Sequence, residues 1–83
     1  MDAREKVRNY IVENFLFGDA EPMADDQMSL LDNGIIDSVG VMELVAFLEG
    51  EFGLAVGDDE LVPENLDSVA NLEGFIARKQ AAA

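Results

Sequence analysis

The chain has no cysteine and no histidine, only two prolines, and just five basic residues against eighteen acidic ones. Each scarcity removes a class of function. Without cysteine there is no disulfide framework, no thiolate nucleophile and no thiolate metal ligand. Without histidine the side chain most used for proton transfer near neutral pH is missing, so an enzyme would have to work with carboxylates and with Ser29, Ser38 and Ser68. No apolar run approaches the about 18 residues a membrane helix needs, and no basic-then-apolar leader is visible. Neither a membrane span nor a signal peptide is expected, and the cytoplasm is the default location.

The few bases are also confined in position. Arg4, Lys6, Arg8, Arg78 and Lys79 lie near the two ends, and every charge from Glu13 through Glu73 is negative. A net charge of −13 concentrated in this way repels nucleic acid and anionic membranes, and steers basic patches of partner proteins toward the middle of the chain. Its plainer consequence is solubility.

What remains is ample apolar material. Hydrophobic residues make up 49% of the 83 residues, enough to oppose disorder in one domain near the lower end of sizes that fold unaided. Residues 1–80 are expected to form that domain, and residues 81–83 a frayed tail. Asp2 and Glu5 fit a capping-box-like start, after which Ala3, Val7, Tyr10, Ile11 and Phe15 follow helical spacing to Leu16 or Phe17, with Gly18 as the stop. Residues 18–36 show no period and form a long loop that Met23, Met28, Leu30, Leu31, Ile35 and Ile36 could pin across the bundle. Gap filling is the plain reading of the two methionines.

The strongest pattern follows that loop. For a helix over 38–51, Val41, Leu44, Val45, Leu48 and the following Phe52 make a broad stripe, with Gly53 as the closing residue. Val39, Met42 and Ala46 make a second, smaller apolar strip bordered by Glu43 and Glu49, and this strip should be left partly exposed. Gly40 and Gly50 each cost up to about 1 kcal/mol within the helix, which packing must offset. Asp58 to Leu61 suggests one short helical turn before Pro63 interrupts, and Asp67 or Ser68 caps a last helix over 68–79 through Val69, Leu72, Phe75 and Ile76. With no alternating strand pattern, the fold class is an all-α bundle of three longer helices and one short one.

Asp37-Ser38-Val39 at the start of the second helix now acquires a context. The stretch Gly34-Ile35-Ile36-Asp37-Ser38-Val39-Gly40-Val41-Met42-Glu43-Leu44, the later Glu51-Phe52-Gly53, the length, the charge and the C-terminal helix together resemble the acyl carrier protein superfamily. Its members attach 4′-phosphopantetheine to the serine of an Asp-Ser-Leu motif at the start of their second helix. The likeness covers nearly the whole chain, with departures at Val39, where leucine is usual, and at Gly40 and Gly50, where fatty-acid carriers often have acids.

The resemblance implies a four-helix carrier bundle, acting as a monomer, with the prosthetic arm on Ser38 and Asp37 in support. It further implies no catalytic residue, no resident metal, and cargo held as a thioester. The implied partners are a phosphopantetheinyl transferase, which brings magnesium, then an adenylate-forming acyl or aminoacyl ligase and a downstream acyltransferase or synthase. They would meet Val39, Met42, Glu43, Ala46 and Glu49. The segment Gly-Ile-Ile-Asp-Ser-Val looks more like discrete aminoacyl, D-alanyl or peptidyl carriers than like the fatty-acid carrier.

Several other readings compete. A second Asp-Ser-Val occupies 67–69, and either serine can simply cap a helix. Asp32 and Glu43 are spaced like the ends of a calcium loop, but Gly34, Ile36 and Asp37 occupy positions that need two acids and a glycine. Asp25-Asp26 and Asp58-Asp59 read as solvated surface rather than acid/base pairs. From a different class comes an unmodified acidic adaptor that binds a basic protein through the second helix.

Overall fold

The computed structural model describes residues 2–23 and 25–82, Ala82 by its backbone alone. These residues form α1 (Ala3–Phe15), α2 (Ser38–Phe52), a four-residue α3 (Pro63–Leu66) and α4 (Val69–Ala82), with 3₁₀ turns at Glu21–Met23 and Asp58–Glu60. No strand occurs among the described residues, and no helix there is long and apolar enough to cross a membrane.

α1 starts where the Asp2 carboxylate accepts the Glu5 N–H at 2.8 Å, and it buries Val7, Ile11 and Val12. It breaks one residue sooner than the expected glycine stop. Phe17 is already left-handed at φ 54°, Gly18 follows at φ 87°, and the Gly18 N–H reaches back to the Val12 carbonyl at 2.9 Å. α2 ends as its sequence suggests, with Gly53 left-handed at φ 67° and its N–H on the Glu49 carbonyl. That backbone conformation is cheap only for glycine.

α1 and α2 run antiparallel in a register set by three contacts. Lys6 pairs with Glu51 at 3.4 Å, Tyr10 stacks on Phe47 with centroids 4.0 Å apart, and the Phe15 ring lies against Gly40. A Cβ at position 40 would come within 2.9 Å of Phe15 Cε1 and 3.1 Å of Ile36 Cγ2, so this glycine is what leaves room for the Phe15 ring against α2. Packing therefore offsets Gly40 and not Gly50, beside which a Cβ would meet nothing within 4 Å.

The core joins Ile11, Leu44, Leu48, Leu72, Phe75 and Ile76 from the three longer helices to Met23, Leu30 and Ile36 from the loop. Met23 is fully buried, and Leu31 is the exception among the expected loop anchors, being 40% exposed. Polar clamps hold the rest of the loop. Arg4 and Arg8 both bind Asp26, Arg8 also binds the Met23 carbonyl, and the Asp26 carbonyl accepts the Ala70 N–H at 2.9 Å.

The short helix lies elsewhere than expected. Asp58–Glu60 is only a 3₁₀ turn, and Pro63 starts α3 instead of interrupting a helix, because a ring without an N–H suits the first helical position. α4 runs through Ala82, beyond the 68–79 of its apolar pattern, on alanines that favour helix intrinsically. Ala83 lies outside the described residues.

The α2–α3 linker is tied to α4 by Glu60, whose carboxylate accepts Lys79 Nζ at 2.8 Å and the Gly57 N–H at 2.9 Å. The Lys79 bond, then the Gly57 bond, hold its pKa below the ordinary 4.5. A carboxylate depressed in the fold adds stability that is present above the unfolded value and lost as pH falls through the folded one. In urea melts, the advantage of wild type over Glu60→Gln should be constant near neutrality and shrink below pH 4.5. A gap unchanged down to about pH 3 would show that the charge on Glu60 does not matter.

Candidate functional site

The two Asp-Ser-Val tripeptides divide their work differently. In the first, Asp37 is the helix cap, its Oδ1 accepting the Gly40 N–H at 2.8 Å, while Ser38 is the first residue of α2 and is exposed. The Ser38 hydroxyl makes no hydrogen bond among the described residues. In the second, Ser68 is buried and its Oγ accepts the Asn71 N–H at 3.0 Å, so this hydroxyl is committed to capping α4.

Asp67, the acid of the second tripeptide, works at long range. Its carboxylate accepts the Ser29 hydroxyl at 2.5 Å and the Leu31 N–H at 2.8 Å, and its carbonyl accepts the Leu30 N–H at 2.7 Å. These bonds fix the loop that leads into Ser38. Periodicity gave no signal for this, because the partners lie 36 to 38 positions apart.

Ser38 also lines a groove of about 260 Å³, open to solvent, between Leu31, Val41, Leu61, Val62, Pro63 and Leu66, with Asp67 in its wall. An apolar groove thus adjoins an unengaged hydroxyl at the positive end of a 15-residue helix. Asp37 has taken the Gly40 N–H, and the first-turn donors of Ser38 and Val39 have no intrahelical acceptor. A phosphodiester joined to Ser38 would fit here, with free donors and a favourable dipole beside it.

The residues expected on the partner face fall into two groups. Val39 and Met42 are 68% and 56% exposed, and Glu43 and Ala46 are exposed with them. Glu49 is exposed too, but its Oε2 accepts the Val56 N–H at 3.0 Å and so anchors the segment after α2. Tyr10 is drawn to α2 beside Glu43, donating to that residue's carbonyl at 3.2 Å. Burial, then the Glu43 charge, raises the phenol's pKa. Among the described residues no group of three or more acids converges as a metal site.

Residues 5–76 match the family model described as a phosphopantetheine attachment site. The chain is 32% identical over 76 residues to a probable acyl carrier protein, PigG, of a Serratia species, covering 92% of this chain and 86% of that one. It is 37% identical to the D-alanyl carrier protein of Streptococcus suis over 65 residues, 78% of each chain. It is 34% identical to aminoacyl carrier protein 2 of Bradyrhizobium diazoefficiens over 70 residues, 84% of this chain and 73% of the relative. The crystal structure of an acyl carrier protein from Thermotoga maritima superposes with a TM-score of 0.58 at 26% identity, over 92% of this chain and 93% of that one. An exposed serine opening the second helix of an acyl-carrier fold, within a matched span that covers most of the sequence, means that the chain belongs to the phosphopantetheine-binding acyl carrier protein family.

Proposed function

We propose that Ser38 is the residue to which this carrier's phosphopantetheine arm is joined. The single observation that carries the assignment is the contrast between the two serines: the Ser38 hydroxyl is exposed and unengaged, and the Ser68 hydroxyl is buried and bonded. A phosphopantetheinyl transferase would form the bond from Ser38 Oγ to the arm's phosphorus and break the phosphoanhydride of coenzyme A. The nucleotide 3′,5′-bisphosphate leaves, and the hydroxyl proton passes to a base of the transferase. Magnesium belongs to that complex. Once bound, the arm supplies a thiol that a cysteine-free chain lacks, and holds the cargo as a thioester.

The chain's own contribution is carriage. Asp37 holds the first turn of α2 so that Ser38 stays presented, and the groove beside it offers apolar cover. Carriers of this family work with partner enzymes, and here we assign that contact to Val39, Met42, Glu43 and Ala46, with Glu49 contributing charge. For cargo, an aminoacyl-type group loaded by an adenylating ligase is supported by the Gly-Ile-Ile-Asp-Ser-Val segment and by relatives named D-alanyl and aminoacyl carriers. The unmodified adaptor is not favoured, since the match to an attachment-site family has no place in it. With coenzyme A, magnesium and a transferase, intact mass should rise by one phosphopantetheinyl group, mapped to the peptide containing Asp37, Ser38 and Val39. A wild type that never gains the group would return the adaptor to first place.

Glu43→Lys should slow modification by about tenfold at low salt, because a rim charge acts mainly on association. The defect should shrink as salt is added. Glu43 is the cleaner probe than Glu49, whose replacement also releases Val56. Unchanged initial rates at low salt would remove α2 from the docking surface.

A further inference from the structure

Four large apolar side chains stand exposed among the described residues: Phe17, Leu31, Val39 and Met42. The last three belong to the Ser38 groove or to the outer strip of α2. Phe17 is the most exposed at 96%, and the fold makes no use of its ring, which joins neither the core nor any ring pair among the described residues. Its backbone is held at φ 54°, a region unfavourable for any residue with a Cβ. Glycine at this position would relieve the strain and remove the exposed ring together, as Gly18 already meets the φ of 87° at the next position.

The register of α1 against α2 locates the ring. Moving along α1 from Lys6 to Tyr10 to Phe15 matches moving back along α2 from Glu51 to Phe47 to Gly40. The end of α1 therefore comes level with the first turn of α2, which Ser38 opens, and Phe17 follows that end by two residues. Leu31 beside Ser38 and Val39 in the first turn of α2 lie at that same end. Exposed Glu13, Asp19 and Glu21 flank Phe17, and no base lies between positions 13 and 73. This charge selects the occupant. A second copy carrying −13 would be repelled, and so would an anionic membrane, whereas an apolar recess rimmed by lysine and arginine is complementary.

An enzyme that brings its reacting centre over Ser38 must cover this end. We infer that Phe17 is a docking knob for the phosphopantetheinyl transferase, its ring seated in a basic-rimmed apolar recess beside the transferase's active site. The inference rests on Ser38 as the attachment residue.

The test compares wild type, Phe17→Gly and Phe17→Trp with coenzyme A, magnesium and a broad-specificity transferase, following initial rates, final intact mass and melting temperature. All three should end fully modified once. Phe17→Gly should melt no lower than wild type while its KM rises about tenfold with kcat unchanged, the loss expected when one buried aromatic anchor is removed. Phe17→Trp should stay near the wild-type rate. A glycine variant with wild-type kcat/KM sinks this inference and leaves the Ser38 assignment intact, as does a tryptophan variant as slow as the glycine one. Sedimentation showing that wild type self-associates and Phe17→Gly does not would give the ring to a second copy and also overturn it. A wild type that gains no arm sinks both readings.

Discussion

Ser38→Ala abolishes the gain of phosphopantetheine, and Ser68→Ala leaves it complete: that is the expected result for two serines in identical tripeptides. The structure explains why the two substitutions should also differ in stability, and in the opposite sense. Ser38 stands at the first helical position with its hydroxyl unengaged, and the capping bond to Gly40 comes from Asp37, so alanine at 38 removes no bond and favours helix. The inactive variant should therefore melt at or slightly above wild type. Ser68→Ala deletes the bond to the Asn71 N–H and costs about 0.5–2 kcal/mol, or roughly 4–8 °C for each kcal/mol in a domain of this size. The modifiable variant is thus the less stable one. Asp37→Ala loses a cap of the same kind and should fold yet accept the arm poorly. A Ser38→Ala protein that still gains the group would remove Ser38 from the assignment.

The largest effect on stability is expected from Leu48→Ala. Leu48 is fully buried between α2 and the rest of the core, and such a truncation costs about 2–5 kcal/mol, the lost transfer energy plus the cavity left behind. At the usual about 0.05–0.15 kcal/mol per residue, the whole domain has only about 4–12 kcal/mol to lose. Thermal melts followed by circular dichroism should fall by at least about 8 °C. Val39→Ala, on the exposed face of the same helix, should change the midpoint by no more than about 2–4 °C, in line with about 0.5 kcal/mol for surface substitutions. Equal melting temperatures for Leu48→Ala and wild type would mean that the core face of α2 has been misidentified.

The sequence exposed the parts of the fold that repeat along it. The stripes of α1, α2 and α4, the exposed strip at Val39, Met42 and Ala46, and Gly53 as a stop all follow from local spacing. Ser38 is the candidate attachment residue in the sequence because its flanks resemble a family, and the tripeptide alone does not separate it from Ser68. What stayed hidden was long-range or contextual. The Asp67 clamp, the Glu49 anchor on Val56 and the Tyr10–Phe47 stack join distant positions and leave no periodic trace. α3 was hidden because proline breaks a helix interior and begins a helix equally well. Gly18 is left-handed as its residue type suggests, whereas Phe17 as a second left-handed residue beside it runs against the preference for glycine.

The Asp67 clamp also bears on how far the walls of the groove can give way. Leu31 is a wall residue, and its own N–H is bonded to Asp67, another wall residue, so those two sides move as one piece. Val41 is fixed in the helix that presents Ser38. The side made by Leu61 and Val62 is tied as well, since the Val62 carbonyl accepts the Asn65 and Leu66 N–H groups and the Asn65 side chain donates to the Glu60 carbonyl. Every wall is bonded into the frame, so a chain laid between α2 and α3 would have to fit the cleft as it stands.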